Sequence, residues 1–263
     1  MKTITSVHNE SLRQLSRLLS SAKARRESGR AVLEGVHLLD ACLNAGGSPE
    51  AVYVPEGRLR RAEIQALLAR LPEDKITVVS QGALEKISAL SGGEDVMSLI
   101  VCPLPGELPQ SGDCVVLERV QDPGNVGTIL RSAAACGIRQ VIFGEDCVDV
   151  WSPKVLRAGM GAHFLLALYP RTDLSAWRAG YRDPVRVTAL GGRDNRSVYS
   201  LDLKPASAWL FGNEGSGVSE NMLDSADGTV HIPMIGATES LNVAMAATVC
   251  LFEQMRQRLH AQE

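Results

Sequence analysis

Aromatic residues are scarce in this chain of 263 residues: Phe, Tyr and Trp together make up 4% of it. Its six cysteines are scattered, with no CxxC pair and no histidine at zinc-finger spacing, which argues against a zinc finger or a disulfide framework. No apolar run is long enough to span a bilayer, and the first residues lack the apolar core of a signal peptide. We therefore expect a cytoplasmic protein with reduced thiols, without a membrane segment or a metal.

An excess of charge of one sign is also missing. The net charge of −3 provides no global attraction to nucleic acid. Residues 1–31 nevertheless contain seven Lys or Arg against two Glu. Four of these cations form a cluster that either follows an RNA phosphate backbone or is the solvated face of a helix: Lys23, Arg25, Arg26 and Arg30. Charge alone favours neither interpretation.

What is present is apolar sequence, 45% of the chain, which is enough for one large domain or two ordinary ones. Apolar spacing predicts helices over 11–20 and 31–45, and strands in AVYVPEG from Ala51 and KITVVS from Lys75. A stretch rich in Pro and Gly follows and is typical of a linker. We predict a small amino-terminal α/β domain over 1–104, a linker over 105–112 and a second domain over 113–263.

In the second domain, short apolar runs alternate with helical stretches. The runs begin at Cys114, Gln140, Val185, Ala208 and Thr229, and each is followed by Gly, Asn or Asp. This pattern is typical of buried strands joined by helices. It predicts a mostly parallel sheet that is covered by helices.

Three glycine-rich segments with polar residues follow such runs: NVGTILRSAAACG from Asn125, LFGNEGSG from Leu210 and IPMIGATESLNVAMAA from Ile232. Segments in this position bind small molecules in α/β proteins. The glycines of the second segment fit neither the GxGxxG dinucleotide fingerprint nor the GxxxxGK[ST] phosphate loop. An NAD-binding oxidoreductase on a doubly wound sheet therefore has little support, although it stays an alternative.

The polar residues of these segments allow two interpretations each. Arg131, six residues after Asn125, either binds a phosphate or forms a structural ion pair. Glu214, at the tip of a tight loop, either lies near a substrate or accepts hydrogen bonds from loop amides. We also expect Ser240 or Thr238 to cap a helix that begins at about residue 241.

In this order, NVGTILR, FGNEGSGVS and IPMIGATESLNVAMA resemble the three signature motifs of the SpoU (TrmH-type) RNA ribose methyltransferases, a branch of the SPOUT superfamily. SPKVLRAGMGAHF, between the first two, also resembles the family pattern, and the amino-terminal half is similar to an RNA-binding, ribosomal-protein-like substrate domain. The resemblance implies a trefoil-knotted α/β methyltransferase domain. It also implies transfer of a methyl group from S-adenosylmethionine to a ribose 2′-hydroxyl, with 23S ribosomal RNA favoured as the substrate. Transfer RNA as the substrate, or RNA binding without catalysis, stays an alternative.

The resemblance also assigns residues. It implies catalytic roles for Arg131, Asn125, Glu214, Ser240 and Asn242. It implies S-adenosylmethionine binding by Gly212, Asn213, Ile232, Met234, Gly236, Leu241 and Asn242. The family's active site is completed across a homodimer interface, and an apolar stripe on the last predicted helix agrees with such an interface: Leu241, Met245, Val249, Phe252 and Met255.

Overall fold

The computed structural model describes residues 2–4, 9–80, 82–88, 96–189 and 195–260. The chain forms two compact units. The first contains Met1–Pro103 and Trp151–Phe164, and the second contains Leu104–Val150 and Leu165–Glu263. The predicted domain limits stay a prediction, but segment 151–164, which lies inside the predicted second domain, packs with the first unit.

The first unit is built on a five-stranded mixed sheet. Numbered in chain order, its strands are β1 (Lys2–Ile4), β2 (Arg30–Glu34), β3 (Ala51–Pro55), β4 (Ile76–Val79) and β5 (Met97–Val101), arranged β1-β4-β3-β5-β2. Its helices are α1 (Glu10–Ser20), α2 (Ala22–Ser28), α3 (Val36–Asn44), α4 (Ala62–Leu68) and, from the returning segment, α6 (Pro153–Gly159). Strands β1, β3 and β4 are parallel, whereas β5 is antiparallel to β2 and β3.

The predicted helix over 31–45 is partly wrong. Residues 30–34 form strand β2, and the helix begins only at Val36. Ala31, Val32 and Leu33 are all buried, and periodicity does not separate a fully buried strand from a buried helix. Gly35, with a φ of 99°, turns the chain between the two elements, a conformation that favours glycine.

The second unit contains a seven-stranded sheet. Its strands are β6 (Cys114–Leu117), β7 (Gln140–Gly144), β8 (Ala167–Thr172), β9 (Val185–Thr188), β10 (Arg196–Ser197), β11 (Ala208–Phe211) and β12 (Gly228–His231). They are arranged β10-β12-β9-β11-β6-β7-β8, and every pairing is parallel. The prediction of a parallel sheet is confirmed. Strand β8 was missed because its sequence, ALYPRT, contains a proline and two polar residues.

Helices cover both faces of this sheet: α5 (Pro123–Ala135), α7 (Leu174–Gly180), α8 (Glu220–Ser225) and α9 (Val243–Leu259). On one face, Leu174 of α7 and Met222 of α8 join a core with Val116 and Leu210. On the other, the indole Nε1 of Trp209 donates to Gln254 Oε1 of α9 over 2.8 Å. No helix in the described part of the chain is long and apolar enough to cross a membrane.

Strand β6 lies between β11 and β7, where the strand order reverses. From β6 the chain first adds β7 and β8 on one side and then returns to build the other side. In open parallel sheets, ligands bind at the carboxyl ends of the strands at such a reversal. The three segments singled out from the sequence follow β6, β11 and β12 from this edge: the first lies in the helix that follows β6, and the other two include the loops after β11 and β12.

Candidate active site

The three segments meet through hydrogen bonds between two side-chain amides and one carboxylate. Asn125, in the first turn of α5, donates its Nδ2–H to Glu214 Oε1 over 2.7 Å. Asn242 donates its Nδ2–H to Asn125 Oδ1 over 2.9 Å. One residue from each predicted segment therefore belongs to a single chain of hydrogen bonds.

Two members of this hydrogen-bond chain, Asn125 and Asn242, are held at the amino termini of helices. Asp122 caps α5, where its Oδ1 accepts from Asn125 N over 2.8 Å and Pro123 occupies the first turn. Asn242 caps α9, and its Oδ1 accepts from the backbone N–H groups of Ala244 and Met245. The predicted cap at Ser240 or Thr238 is therefore wrong, and α9 begins at Val243.

The loop from Gly212 to Ser219, which follows β11, is a tight turn closed by Asn213. Its Oδ1 accepts from the backbone N–H groups of Gly215 and Ser216, at 2.9 and 3.0 Å. Its backbone also pairs with Gly217 in both directions. A Cβ added at Gly212 would lie 2.4 Å from the carbonyl carbon of Gly217, so the crossing of the chain here requires glycine.

The base of this loop is attached to the end of β6 by two residues that sequence reasoning missed. Glu118 accepts from both the backbone N–H and the hydroxyl of Ser219, at 2.7 and 2.6 Å. The carbonyl of Arg119 accepts from Asn213 Nδ2 over 2.9 Å, and its Nη2 donates to Gly217 O over 3.3 Å. Both residues directly follow the apolar run of β6, and this position at the end of a buried strand is the sequence feature that could have indicated them.

The loop after β12 carries the remaining predicted cofactor residues. Ile232 and Met234 are half-buried, whereas Gly236, Ser240 and Leu241 are exposed. These residues lie on the loop that ends at the Asn242 cap. The structure thus places the predicted donor-binding residues on two loops that leave the same edge of the sheet.

Arg131 lies six residues beyond Asn125 in α5. Its side chain is exposed, and it forms no hydrogen bond or ion pair with the residues that the structure describes. Next to it, Ser132 Oγ lies 2.7 Å from Thr248 Oγ1, a contact that joins α5 to α9. The structural ion pair that the sequence allowed for Arg131 is absent from this part of the chain, which leaves its guanidinium open to a ligand.

The amino-terminal basic cluster divides into two groups. Lys23 and Arg26 are exposed, as an RNA contact requires. Arg25 is buried and donates from Nη1 to the carbonyls of Leu18 and Leu19 in α1, so it stabilises the fold instead. Arg30 forms a two-bond ion pair with Glu50, at 2.6 and 2.9 Å, which lowers the pKa of the Glu50 carboxyl.

The thiols and carboxylates do not form a further reactive centre. Within the described ranges, no group of His, Cys, Asp and Glu is arranged to hold a metal ion. None of the six cysteines, all of which lie in the described ranges, forms a disulfide. Burial raises the pKa of Cys114 to about 12 and of Cys136 and Cys147 to about 11, which disfavours the nucleophilic thiolate.

A cavity of about 330 Å³ lies at the carboxyl ends of β6, β7 and β8. It is lined by Arg119 and by the carboxylates of Glu118, Glu145, Asp146 and Asp173. None of the predicted donor-binding residues lines it. Its acidic wall is unsuited to an RNA phosphate, so we assign it no part in binding RNA.

Family models match both halves of the chain. Residues 113–252 match the SpoU rRNA methylase family, and residues 9–98 match the MRM3-like substrate-binding domain. The second match agrees with the substrate domain that the amino-terminal half resembles.

Curated relatives match over nearly the whole chain. An uncharacterized tRNA/rRNA methyltransferase of Synechocystis is 32% identical, over 97% of this chain and 94% of the relative. A 23S rRNA (guanosine(2553)-2′-O)-methyltransferase of Bacillus subtilis is 27% identical, over 96% of this chain and 98% of the relative.

Solved structures agree. The SpoU methyltransferase AviRb of Streptomyces viridochromogenes, in complex with AdoMet, has a TM-score of 0.84 at 26% identity, covering 96% of this chain and 99% of the neighbour. An AdoMet-bound rRNA methyltransferase of Sinorhizobium meliloti also has a TM-score of 0.84 at 26% identity, covering 97% of each chain. With both halves matched, and with the signature residues meeting at one edge of the sheet, the chain belongs to the SpoU rRNA methylase family.

Proposed function

We propose that this protein transfers a methyl group from S-adenosylmethionine to a ribose 2′-hydroxyl of 23S ribosomal RNA. The observation that carries the proposal is the hydrogen-bonded chain Glu214–Asn125–Asn242, which joins the three segments. It lies in the same unit as Arg131, whose exposed side chain pairs with none of the described residues. Family membership supports the reaction, and the printed names of the relatives support the substrate.

The loops after β11 and β12 fit the methyl donor. Gly212 lets backbone approach closely, and the half-buried Ile232 and Met234 offer an apolar wall for a flat ring. Two related structures of similar fold contain AdoMet. When bound, S-adenosylmethionine supplies an activated methyl group on a sulfonium, so the work left to this chain is alignment and charge stabilisation.

In this proposal, Arg131 binds the target nucleotide. A guanidinium is not deprotonated in proteins, so it does not act as a general base. Its five N–H donors bind a phosphate and stabilise the negative charge that develops on the 2′-oxygen as the hydroxyl proton leaves to a phosphate or to water. Asn125 and Glu214 orient the ribose beside it, and Ser240 and Asn242 fix the loop at the entrance.

The proposal includes a homodimer. Helix α9 exposes apolar side chains along one stripe, with Met245, Phe252 and Leu259 exposed by 50%, 41% and 55%. Val249 and Met255 lie half-buried in the same stripe. Such a face is suited to a second copy of the helix. We also propose that the second domain contains a trefoil knot and that the protein is cytoplasmic.

The relatives do not agree on one methylated nucleotide of ribosomal RNA. One relative is named for a guanosine of 23S rRNA and another, of Streptomyces viridochromogenes, for a uridine. The Synechocystis relative is named for both tRNA and rRNA, which keeps transfer RNA as the second candidate.

The test is transfer of tritium from labelled S-adenosylmethionine to purified ribosomal and transfer RNA from cells that lack this protein, followed by mapping of ribose methylation. We expect label at one 2′-oxygen of the large-subunit RNA. In Arg131→Ala we expect transfer to fall by at least about 100-fold, because one charge-stabilising donor is lost.

Donor binding by Arg131→Ala separates catalysis from folding, since Arg131 lies outside the proposed donor loops. Label in transfer RNA instead would identify transfer RNA as the substrate and leave the proposed reaction unchanged. Donor binding with no label in any RNA, ribosomal particles included, would indicate a binding protein of this fold and contradict the proposal.

A further inference from the structure

The loop from Gly212 to Ser219 depends on Glu118, a residue that neither the signature segments nor the proposed catalytic set includes. Ser219 ends the loop, and the Glu118 carboxylate accepts from its N–H at 2.7 Å and from its hydroxyl at 2.6 Å. Only 12% of the Glu118 side chain is exposed. Two hydrogen bonds from one residue to one carboxylate fix both position and orientation.

Glu118 is itself held by the sheet. It directly follows Leu117, the last residue of β6, and its backbone N–H donates to Phe211 O, the last residue of β11, over 2.9 Å. All residues of β6 and β11 are buried. The carboxylate therefore extends from the end of a fully buried strand that is bonded to its neighbour.

Arg119 holds the other half of the loop. Its φ of 56° lies in the left-handed region, which is unusual for a residue with a side chain. In this conformation its carbonyl accepts from Asn213 Nδ2 and its guanidinium donates to Gly217 O. The loop is thus attached at its base through Glu118 and Arg119, and at its tip through the bond from Asn125 to Glu214.

We infer that Glu118 is a positioning residue for the methyl donor: by holding Ser219, it sets the path of the loop from Gly212 to Ser219 before the donor binds. The inference rests on the proposed function, because it takes this loop as part of the donor site. The proposed contacts of the donor are to loop backbone, so its affinity follows the path of the loop. A loop that is already ordered loses less conformational entropy on binding.

Glu118→Gln tests this in the full-length protein. Glutamine keeps the shape but removes the negative charge, and its NH₂ group cannot accept from Ser219, so the contact keeps at most neutral hydrogen bonds. We expect the Kd for S-adenosylhomocysteine, measured by calorimetry, to rise by roughly tenfold, because a charge-assisted bond is lost. The KM for RNA should change by less than about twofold, since Asn125 and Arg131 are intact.

Ser219→Ala tests the same contact from the other side and keeps Glu118 in place. It should weaken donor binding in the same direction, and the double variant should bind the donor no more weakly than Glu118→Gln alone, because both changes act on the bond from the hydroxyl to Glu118. The Ser219 hydroxyl also caps α8, where it accepts from Met222 N, and the loss of this cap should lower the melting temperature. Should Glu118→Gln fail to fold, the comparison of Ser219→Ala with the wild type still decides.

Asp113→Asn is the matched control. Asp113 precedes β6 as Glu118 follows it, and its carboxylate accepts from Ser207 N, which precedes β11, over 3.1 Å. It also pairs with Arg258 at the end of α9. Since this carboxylate lies at the amino ends of the same strands, its loss should lower the melting temperature and leave the donor Kd unchanged.

The outcomes separate the two claims. If the wild type binds the donor, and Glu118→Gln and Ser219→Ala bind it with the same Kd, the inference is overturned and the proposed function is left intact. Equal weakening in Asp113→Asn also overturns it, because the effect is then general destabilisation. A wild-type protein that neither binds S-adenosylhomocysteine nor methylates RNA overturns the proposed function together with the inference.

Discussion

The path of the loop after β11 depends on the absence of a side chain at Gly212. A Cβ at this position would lie 2.4 Å from Gly217 C and 2.5 Å from both Gly217 O and Val218 N. These are backbone atoms, which cannot move aside as a flexible side chain does. Gly212→Ala should therefore displace the loop and weaken donor binding by at least about tenfold, while overpacking costs roughly 1–3 kcal/mol of stability. Calorimetry with S-adenosylhomocysteine measures the first and chemical unfolding the second.

Gly228→Ala is the control for this change at the residue scale. Gly228 begins β12, and a Cβ there would meet nothing within 4 Å. It should bind the donor like the wild type. Undiminished binding in Gly212→Ala would show that the donor does not need the observed path of the loop.

At the scale of the element, helices α1 and α2 separate two uses of positive charge that look alike in the sequence. Arg25 is 6% exposed and donates to carbonyls near the end of α1, whereas Arg26 is exposed. Arg25→Ala should lower the free energy of unfolding by about 2 kcal/mol, because buried carbonyls lose a charged donor. Arg26→Ala should leave stability within about 0.5 kcal/mol and reduce the salt dependence of RNA binding by about one unit of slope.

Chemical unfolding and RNA binding at several salt concentrations, done on both variants, check this pair. The assignment of Arg25 to stability and Arg26 to RNA binding is contradicted by either of two results. One is that Arg25→Ala changes the salt dependence of RNA binding without loss of stability, and the other is that Arg26→Ala changes neither property.

How far the sequence predicted the elements depends on what each pattern encodes. Alternation of apolar runs with helices identified β6, β7, β9, β11 and β12, because a parallel sheet buried on both faces leaves continuous apolar runs. The same burial made β2 indistinguishable from a helix, since a buried strand and a buried helix have no different periodicity over five residues. Polar and proline residues concealed β8.

The site was predictable to the same degree. Glycines and polar tips located its loops with Asn125 and Glu214, and the family resemblance added Asn242; the structure joins these three residues by hydrogen bonds. Glu118 was not found, because its importance comes from Ser219, which is 101 residues away in the sequence. The pairing of β6 with β11 brings them together, and no local pattern records that pairing.

At the scale of the whole molecule, the apolar stripe of α9 predicts the assembly. A charge placed within it, Phe252→Glu, would have to be buried without a partner in a dimer, at a cost of several kcal/mol. We expect this variant to be monomeric by light scattering and to lose methyl transfer, because the family resemblance implies a site completed by the second copy.

Ala179→Glu adds the same charge at an exposed position of α7 and should leave the mass and the activity unchanged. A wild-type protein that is monomeric at assay concentration, and active, would contradict the assembly. A dimeric and active Phe252→Glu would place the interface elsewhere.

The path of the chain between the two units determines where the protein can be divided. After Val150 the chain leaves the second unit, contributes α6 to the first, where it packs against β2, and re-enters the second unit at Leu165. Val155 and Leu156 of α6 are buried, and the helix packs against a strand of the first unit while lying in the middle of the sequence of the second. A fragment cut at the linker would carry this helix away from its partner strand. Each unit therefore takes its residues from more than one stretch of the chain, and a single cut in the sequence does not separate the two units.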